Sequence, residues 1–125
     1  MPPETILIAD DDRVFTQFVT EVLRANGFVA VAAFDATQAL MTVRRASPVL
    51  VIVDINMPGG TGLGFLEKLR ASARTAALPA IAVSAARDPK VEAQLRTLNV
   101  PIYLQKPITP AALQAAVFEA LGRKP

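Results

Sequence analysis

At 125 residues, 52% of them hydrophobic, the chain suits one domain with a single core, expected to span residues 1–125, and leaves no room for a second. Thirteen Lys+Arg against eleven Asp+Glu give a net charge of +2, a balance that singles out no polyanionic partner such as nucleic acid. The absence of Cys and His excludes disulfides, thiolate nucleophiles, a Ser-His-Asp base and Cys- or His-ligated zinc, so carboxylates, hydroxyls and lysines are the chemical groups on offer. No run approaches ~18 apolar residues and no basic segment precedes an apolar one at the start, so the expectation is a soluble, cytoplasmic protein without a spanning helix or signal peptide.

Thr5 to Ala9 is a short apolar run that stops at Asp10-Asp11-Asp12, after which Val14, Phe15, Phe18, Val19, Val22 and Leu23 recur at helical spacing. Asn26-Gly27 closes that helix, and Phe28 to Phe34 reads as a second strand. Asp35 with Gln38 forms a capping box for a second helix through Leu40, Met41 and Val43, which Pro48 stops. Val49 to Asp54 follows, five consecutive Val, Leu and Ile residues ending in a carboxylate, the pattern of a strand buried on both faces. A charge at the tip of such a strand belongs in a polar crevice at the strand's C-terminal end, where open parallel sheets bind ligands.

Beyond Asp54 the stretch Ile55-Asn56-Met57-Pro58-Gly59-Gly60-Thr61-Gly62 reads as a loop, then Leu63, Leu66 and Leu69, with Phe65 beside them, as a third helix. The glycines through Gly64 lack the spacing of a nucleotide-binding loop and are read as flexible connection. Ala80 to Val83 is a fourth strand ending at Ser84. Asp88-Pro89 opens a helix whose Val91, Leu95 and Leu98 share a face and which Asn99 ends. Ile102 to Leu104 is a fifth strand, placed at an edge by Pro101. Lys106-Pro107 follows, and Thr109-Pro110 caps a last helix through Leu113, Val117 and Leu121 to Gly122.

Five strand-helix units in succession predict an α/β fold, a parallel sheet doubly wound with helices on both faces. Parallel strands present their C-terminal ends along one edge, which gathers Asp10, Asp11, Asp12, Asp54, Ser84 and Lys106. Clustered carboxylates repel, by on the order of 4 kcal/mol for two unit charges ~4 Å apart at an effective dielectric of ~20, so a cation must compensate. Lys106 supplies one charge and a hard divalent ion with oxygen ligands would supply two. Taken alone, Asp12 reads equally as a helix cap, Ser84 as a turn hydroxyl and Lys106 as a solvated charge. Together with Asp54 they are the parts needed to form and hold an acyl phosphate: a carboxylate nucleophile, a metal-binding acidic pair, a hydroxyl donor and an ammonium.

In these residues the chain resembles, along its whole length, the receiver domain of two-component response regulators, of the chemotaxis-regulator kind. The resemblance implies a flavodoxin-like (βα)5 fold with strand order 2-1-3-4-5. It implies Asp54 as the phosphoacceptor and a Mg2+ or Mn2+ ion held by Asp10, Asp11, Asp54 and the backbone carbonyl of Asn56. It implies that Ser84 and Lys106 assist the transfer, that Ser84 and Tyr103 are switch residues, with Tyr103 turning inward on activation, and that the Lys106-Pro107 bond is cis. The implied activity is that of a phosphorylation-controlled signalling switch rather than a turnover enzyme. The partners would be a histidine kinase or histidine phosphotransfer protein and an unknown downstream protein. The switch would act through the surface of the fourth helix, fifth strand and fifth helix, with a phosphorylation-dependent homodimer open and no direct contact with nucleic acid or membrane. With no His in these 125 residues, the phosphoryl donor lies outside them.

The sequence departs from the family at several points. No Asp or Asn precedes Gly62, Gly64 stands where a larger helix former is usual, Asn99 replaces a glycine, Pro101 precedes the aromatic, and Ala86 leaves small a position that tunes dephosphorylation. A rival enzyme reading starts from Asp10-Asp11-Asp12-Arg13-Val14, which fits the opening motif of haloacid-dehalogenase-like phosphatases, with Asp10 as nucleophile and Asp12 as acid/base. The position of Asp54 ahead of Ser84, the lack of an acidic motif after Lys106 and the short chain argue against it.

Overall fold

The computed structural model describes residues 2–57 and 61–125. Its elements follow in strict alternation: β1 (Thr5–Ala9), α1 (Arg13–Ala25), β2 (Val29–Ala33), α2 (Ala36–Ala46), β3 (Leu50–Asp54), α3 (Gly62–Ala71), β4 (Ala80–Ser84), α4 (Pro89–Thr97), β5 (Ile102–Gln105) and α5 (Pro110–Ala120). All strands pair in parallel, in the order β2-β1-β3-β4-β5, the flavodoxin-like topology. β5 lies at an edge, where Pro101 ahead of it removes no ladder hydrogen bond from a central strand.

Strand side chains alternate between faces, and the alternation divides the core in two. Ile6, Ile8, Leu50, Ile52, Ile81 and Val83 pack against Phe15, Val19 and Leu23 of α1 and Leu113 and Val117 of α5. Leu7, Ala9, Val51, Val53, Ala80 and Ala82 pack on the other face with Val43 of α2, Phe65, Leu66 and Leu69 of α3 and Leu95 of α4. A sheet covered on both sides needs apolar residues at every position of its central strands, which is why Leu50 to Val53 are wholly buried without a polar residue among them. The register aligns Ala9 with Val53, Asp54 with Val83 and Ser84 with Gln105, so the strand ends finish level with one another.

Local chemistry sets the helix boundaries. Asp12 Oδ1 accepts from the amides of Val14 and Phe15 and caps α1; Asp88 and Thr109 cap α4 and α5, each followed by Pro in the first turn. Asp35 Oδ1 accepts from Gln38 N–H at 2.8 Å, while the Gln38 side chain accepts from Phe34 N–H rather than from the capping residue itself, a variant of the expected box. Asn99 takes the left-handed conformation at φ 58° after α4, as its residue type allows. Ser47, at φ 47°, does the same after α2, so the turn out of that helix precedes Pro48.

Three sequence expectations need correction. Val14 and Met41, counted on helix core faces, are 82% and 52% exposed: Val14 lies in the first turn of α1, turned away from Phe15, and Met41 points off the α2 face that Ala39 and Val43 bury. The connection read as loop through Gly64 ends earlier, because Thr61 caps α3 and both Gly62 and Gly64 are helical. Pro58, Gly59 and Gly60 lie outside the described residues.

Gly62 and Gly64 differ in what a side chain would meet. A Cβ at Gly62 would overlap the carbonyl oxygen of Asp54 and sit 2.9 Å from Ile55 Cα, whereas at Gly64 the nearest atom is Thr61 Oγ1 at 3.5 Å. Gly62 N–H also donates to Ile55 O at 3.0 Å, so the start of α3 is pressed against the end of β3. Gly64→Ala is therefore expected to raise stability by about 0.5–1 kcal/mol through the lost backbone freedom of glycine. Gly62→Ala is expected to lower it by about 1–3 kcal/mol through overpacking against backbone. Urea unfolding of the two variants checks this, and changes of the same sign would contradict the close approach.

Candidate functional site

β1 and β3 are adjacent and in register, so the residues that follow their last paired positions, Asp10 and Asp54, meet at the sheet edge. Asp10 is fully buried and Asp54 is 7% exposed, while Asp11 and Asp12 are exposed. Carboxylate oxygens of Asp10, Asp11 and Asp54 all lie within 4.8 Å of one another. Asp12 is not in that group: its Oδ1 accepts from the amides of Val14 and Phe15 and caps α1, which does not favour the acid/base role that the rival reading gives it.

Lys106 closes the group from β5's end. Its backbone N–H donates to Ser84 O at 2.8 Å, which brings the side chain inward beside β4. Its Nζ lies 2.7 Å from Asp10 Oδ2, 3.9 Å from Asp54 Oδ2 and 4.3 Å from the centre of the Phe15 ring. Phe15 thus walls the ammonium from below, a role in which the sequence shows only a core aromatic in the first turn of α1. Alternation explains why these groups converge. Asp10, Asp54 and Lys106 continue the parity of Ile8, Ile52 and Leu104, the sheet face covered by α1 and α5.

Ser84 and Tyr103 belong to the opposite parity, with Ala82 and the α2–α4 face. Ser84 Oγ donates to Ala86 O at 2.7 Å and accepts from Ala86 N–H at 3.3 Å; the Tyr103 hydroxyl reaches the same Ala86 carbonyl at 3.4 Å. Tyr103 is buried, with the Arg87 guanidinium 5.1 Å from its ring centre. Asn56 is exposed, and its N–H donates to Asp54 Oδ1 at 3.1 Å. A cleft of about 410 Å3, lined by Ile55, Asn56, Ser84, Ala86 and Tyr103, opens on this side. The Lys106-Pro107 bond is cis.

The electrostatics leave the group short of positive charge. Burial pushes the Asp10 carboxyl above its ordinary range, opposed by the Lys106 ammonium and the Asp12 N–H, and Asp54 adds repulsion. Asp10 Oδ1 accepts the Asp12 N–H at 2.9 Å, but among the described residues Oδ2 has no aligned hydrogen-bond donor despite its short ion-pair distance to Lys106. Three carboxylates, one ammonium and a buried oxygen with free lone pairs make an all-oxygen set suited to a hard divalent cation such as Mg2+.

The family model of the response regulator receiver domain matches residues 6–118. The chain is 33% identical over 120 residues to the DNA-binding response regulator MtrA of Mycolicibacterium paratuberculosis, covering 96% of this chain and 52% of that protein. It is 27% identical over 118 residues to the phosphate regulon transcriptional regulatory protein PhoB of Escherichia coli K12, covering 94% and 52%. It therefore spans about half the length of these curated relatives. Among solved structures, a sensor protein from Polaromonas sp. JS666 matches with TM-score 0.87 and 30% identity over 97% of this chain and 98% of that one. The chemotaxis response regulator CheY4 of Vibrio cholerae shares the fold, with TM-score 0.88 at 24% identity over 95% and 99%.

An acid whose pKa is higher folded than unfolded contributes stability below its unfolded pKa, and that contribution is lost as pH rises through the folded value. Relative to Asp10→Asn, the native sequence is therefore expected to lose stability as pH rises from the ordinary carboxylate range through the raised value of the buried Asp10 carboxyl. Mg2+ at a hundred times its dissociation constant is expected to return about 2.7 kcal/mol to the native sequence. It should return nothing to Asp10→Asn. Urea titrations with and without Mg2+ measure both effects, and an unfolding midpoint indifferent to Mg2+ would remove the acidic group as a cation site.

Proposed function

The chain belongs to the response regulator receiver domain family, whose members are phosphorylation-dependent signalling switches, and from that premise we propose that Asp54 accepts a phosphoryl group from the phosphohistidine of a histidine kinase or histidine phosphotransfer protein. The observation that carries this reading is the placement of a nearly buried carboxylate beside Asp10 and Asp11, with Lys106 Nζ reaching both Asp10 and Asp54. The haloacid-dehalogenase alternative is disfavoured by the family match and by Asp12, whose carboxylate is held in the α1 cap.

Asp54 Oδ1 is held by the Asn56 N–H, which leaves Oδ2 as the freer nucleophile. An Oδ2 lone pair forms the new O–P bond as the P–N bond to the donor imidazole breaks, and the bonding pair leaves with that nitrogen. Lys106 neutralises charge on the transferred group, and Ser84 Oγ turns from Ala86 O to donate to a phosphoryl oxygen. A divalent ion, Mg2+ or Mn2+, held by Asp10, Asp11, Asp54 and the Asn56 carbonyl supplies the remaining charge neutralisation when bound.

The carbonyl of Ala86 links transfer to output. Ser84 and Tyr103 share it in the structure, at 2.7 and 3.4 Å, so a Ser84 hydroxyl drawn to the phosphate leaves it to Tyr103. The switch is thus a tightening of an aromatic already inside, with the loop of residues 85–88 following it. The face made by α4, β5 and α5 changes its affinity for a downstream partner by this population shift, and a phosphorylation-dependent homodimer through that face belongs to the same reading. The protein acts as a switch rather than a turnover enzyme and works in the cytoplasm, where such kinases deliver phosphate.

Incubation with acetyl phosphate and Mg2+ followed by peptide mapping is expected to place the phosphoryl group on Asp54, and Asp54→Asn is expected to abolish it. Modification at Asp10 would overturn the assignment. The sequence has one Tyr and no Trp, so intrinsic fluorescence reports on Tyr103 alone. That signal should change on phosphorylation of the native protein. In Ser84→Ala it should lose its dependence on phosphate, and the transfer itself should slow by about tenfold or more for loss of the hydroxyl donor.

A further inference from the structure

A second concave site lies at the other end of the sheet. The C-terminal turns of α2 and α3 and the turn that follows α3 enclose a cavity of about 290 Å3, lined by Val43, Leu69, Leu40 and Leu78. Val43 and Leu69 are buried and Leu40 and Leu78 half-buried, so the floor is apolar. Arg44, Lys68 and Arg74 also line it, and all three are exposed. No Asp or Glu lines this cavity, and among the described residues none of the three cations is in an ion pair. Pro48 and Leu78, which precede β3 and β4, mark it as the N-terminal edge of the sheet. From Pro48 to Asp54 is about 20 Å along the strand at about 3.3 Å per residue, so this site is separate from the acidic one.

The helix dipoles account for part of the charge. Arg44 and Lys68 stand in the last turns of α2 and α3, where cations are favoured. Arg74 belongs to neither helix, and three like charges around one hollow repel unless an anion joins them. An apolar floor under a cationic rim selects a ligand that is apolar at one end and acidic at the other. The volume is near the lower end of the roughly 300–1,000 Å3 of small-molecule pockets. A narrower hollow of about 70 Å3 shares Leu40 and Lys68 with it and continues between the two helices toward Thr61, which gives a tail a direction.

We propose that the α2–α3 cavity binds a small amphipathic anion, its carboxylate or phosphate-monoester head set among Arg44, Lys68 and Arg74 and its short apolar tail lying over Val43 and Leu69. Amide NMR of the full chain, titrated with octanoate, octyl phosphate, octyl glucoside and inorganic phosphate below micellar concentrations, tests this. Octanoate or octyl phosphate is expected to shift residues 40–48 and 68–78 saturably, and whichever saturates first identifies the head group. Octyl glucoside and inorganic phosphate should each bind at least tenfold more weakly. The double variant Arg44→Gln/Arg74→Gln should weaken the anion by tenfold or more with its unfolding midpoint unchanged, and Lys68→Gln should act in the same direction. Equal binding of octyl glucoside, equal binding of inorganic phosphate, shifts centred elsewhere or no saturable shift would each overturn the proposal.

Discussion

Pairing of Ala9 with Val53 in neighbouring parallel strands brings the carboxylates of Asp10 and Asp54 together at the end of a sheet buried on both sides, and Lys106 reaches both from β5. Each of these groups would be costly to bury alone. The central strands cannot move out of register without turning their apolar side chains from one helical layer to the other, because the period of a strand is two. The packing of the core thus holds the charged groups in contact, and the Lys106 ammonium meets part of the repulsion between them.

The same alternation separates the chemistry into two halves. Asp10, Asp54 and Lys106 share the parity of the α1/α5 face, where Phe15 backs the ammonium. Ser84 and Tyr103 share the parity of the other face and meet at the Ala86 carbonyl. In our reading, charge is handled on one side of the sheet and its consequence is registered on the other. Gly62 belongs to the first half through backbone alone: its missing Cβ lets α3 begin against the Asp54 carbonyl.

Much of this was legible in the chain. Caps at Asp35, Asp88 and Thr109 and the left-handed Asn99 follow from residue types whose side chains satisfy free amides or tolerate positive φ. The unbroken run into Asp54 announced a doubly covered strand that ends in a carboxylate. What escaped was decided by neighbours distant in sequence. Val14 and Met41 fit a helical period as well as Phe15 and Val43 do, and only the direction of each helix against the sheet shows which side is covered. Arg70 gave no signal, yet its guanidinium donates to Leu98 O and Leu78 O and ties α3 to the end of α4, with burial lowering its pKa. The glycines at 62 and 64 look alike in sequence, and only the nearness of the Asp54 carbonyl tells them apart.

The sequence by itself determined the order of strands and helices, the doubly wound parallel class and the set of residues gathered at one sheet edge. Hydrophobic period and capping chemistry act over a few neighbouring residues, and parallel connections leave all strand ends on the same side. The tertiary structure alone decided that Asp12 serves as a cap while Asp11 joins Asp10 and Asp54, that Lys106 pairs more closely with Asp10 than with Asp54, and that Tyr103 already lies inside on the Ala86 carbonyl. Those outcomes depend on distances of a few ångströms between groups far apart in the chain, which register and packing fix and local pattern does not.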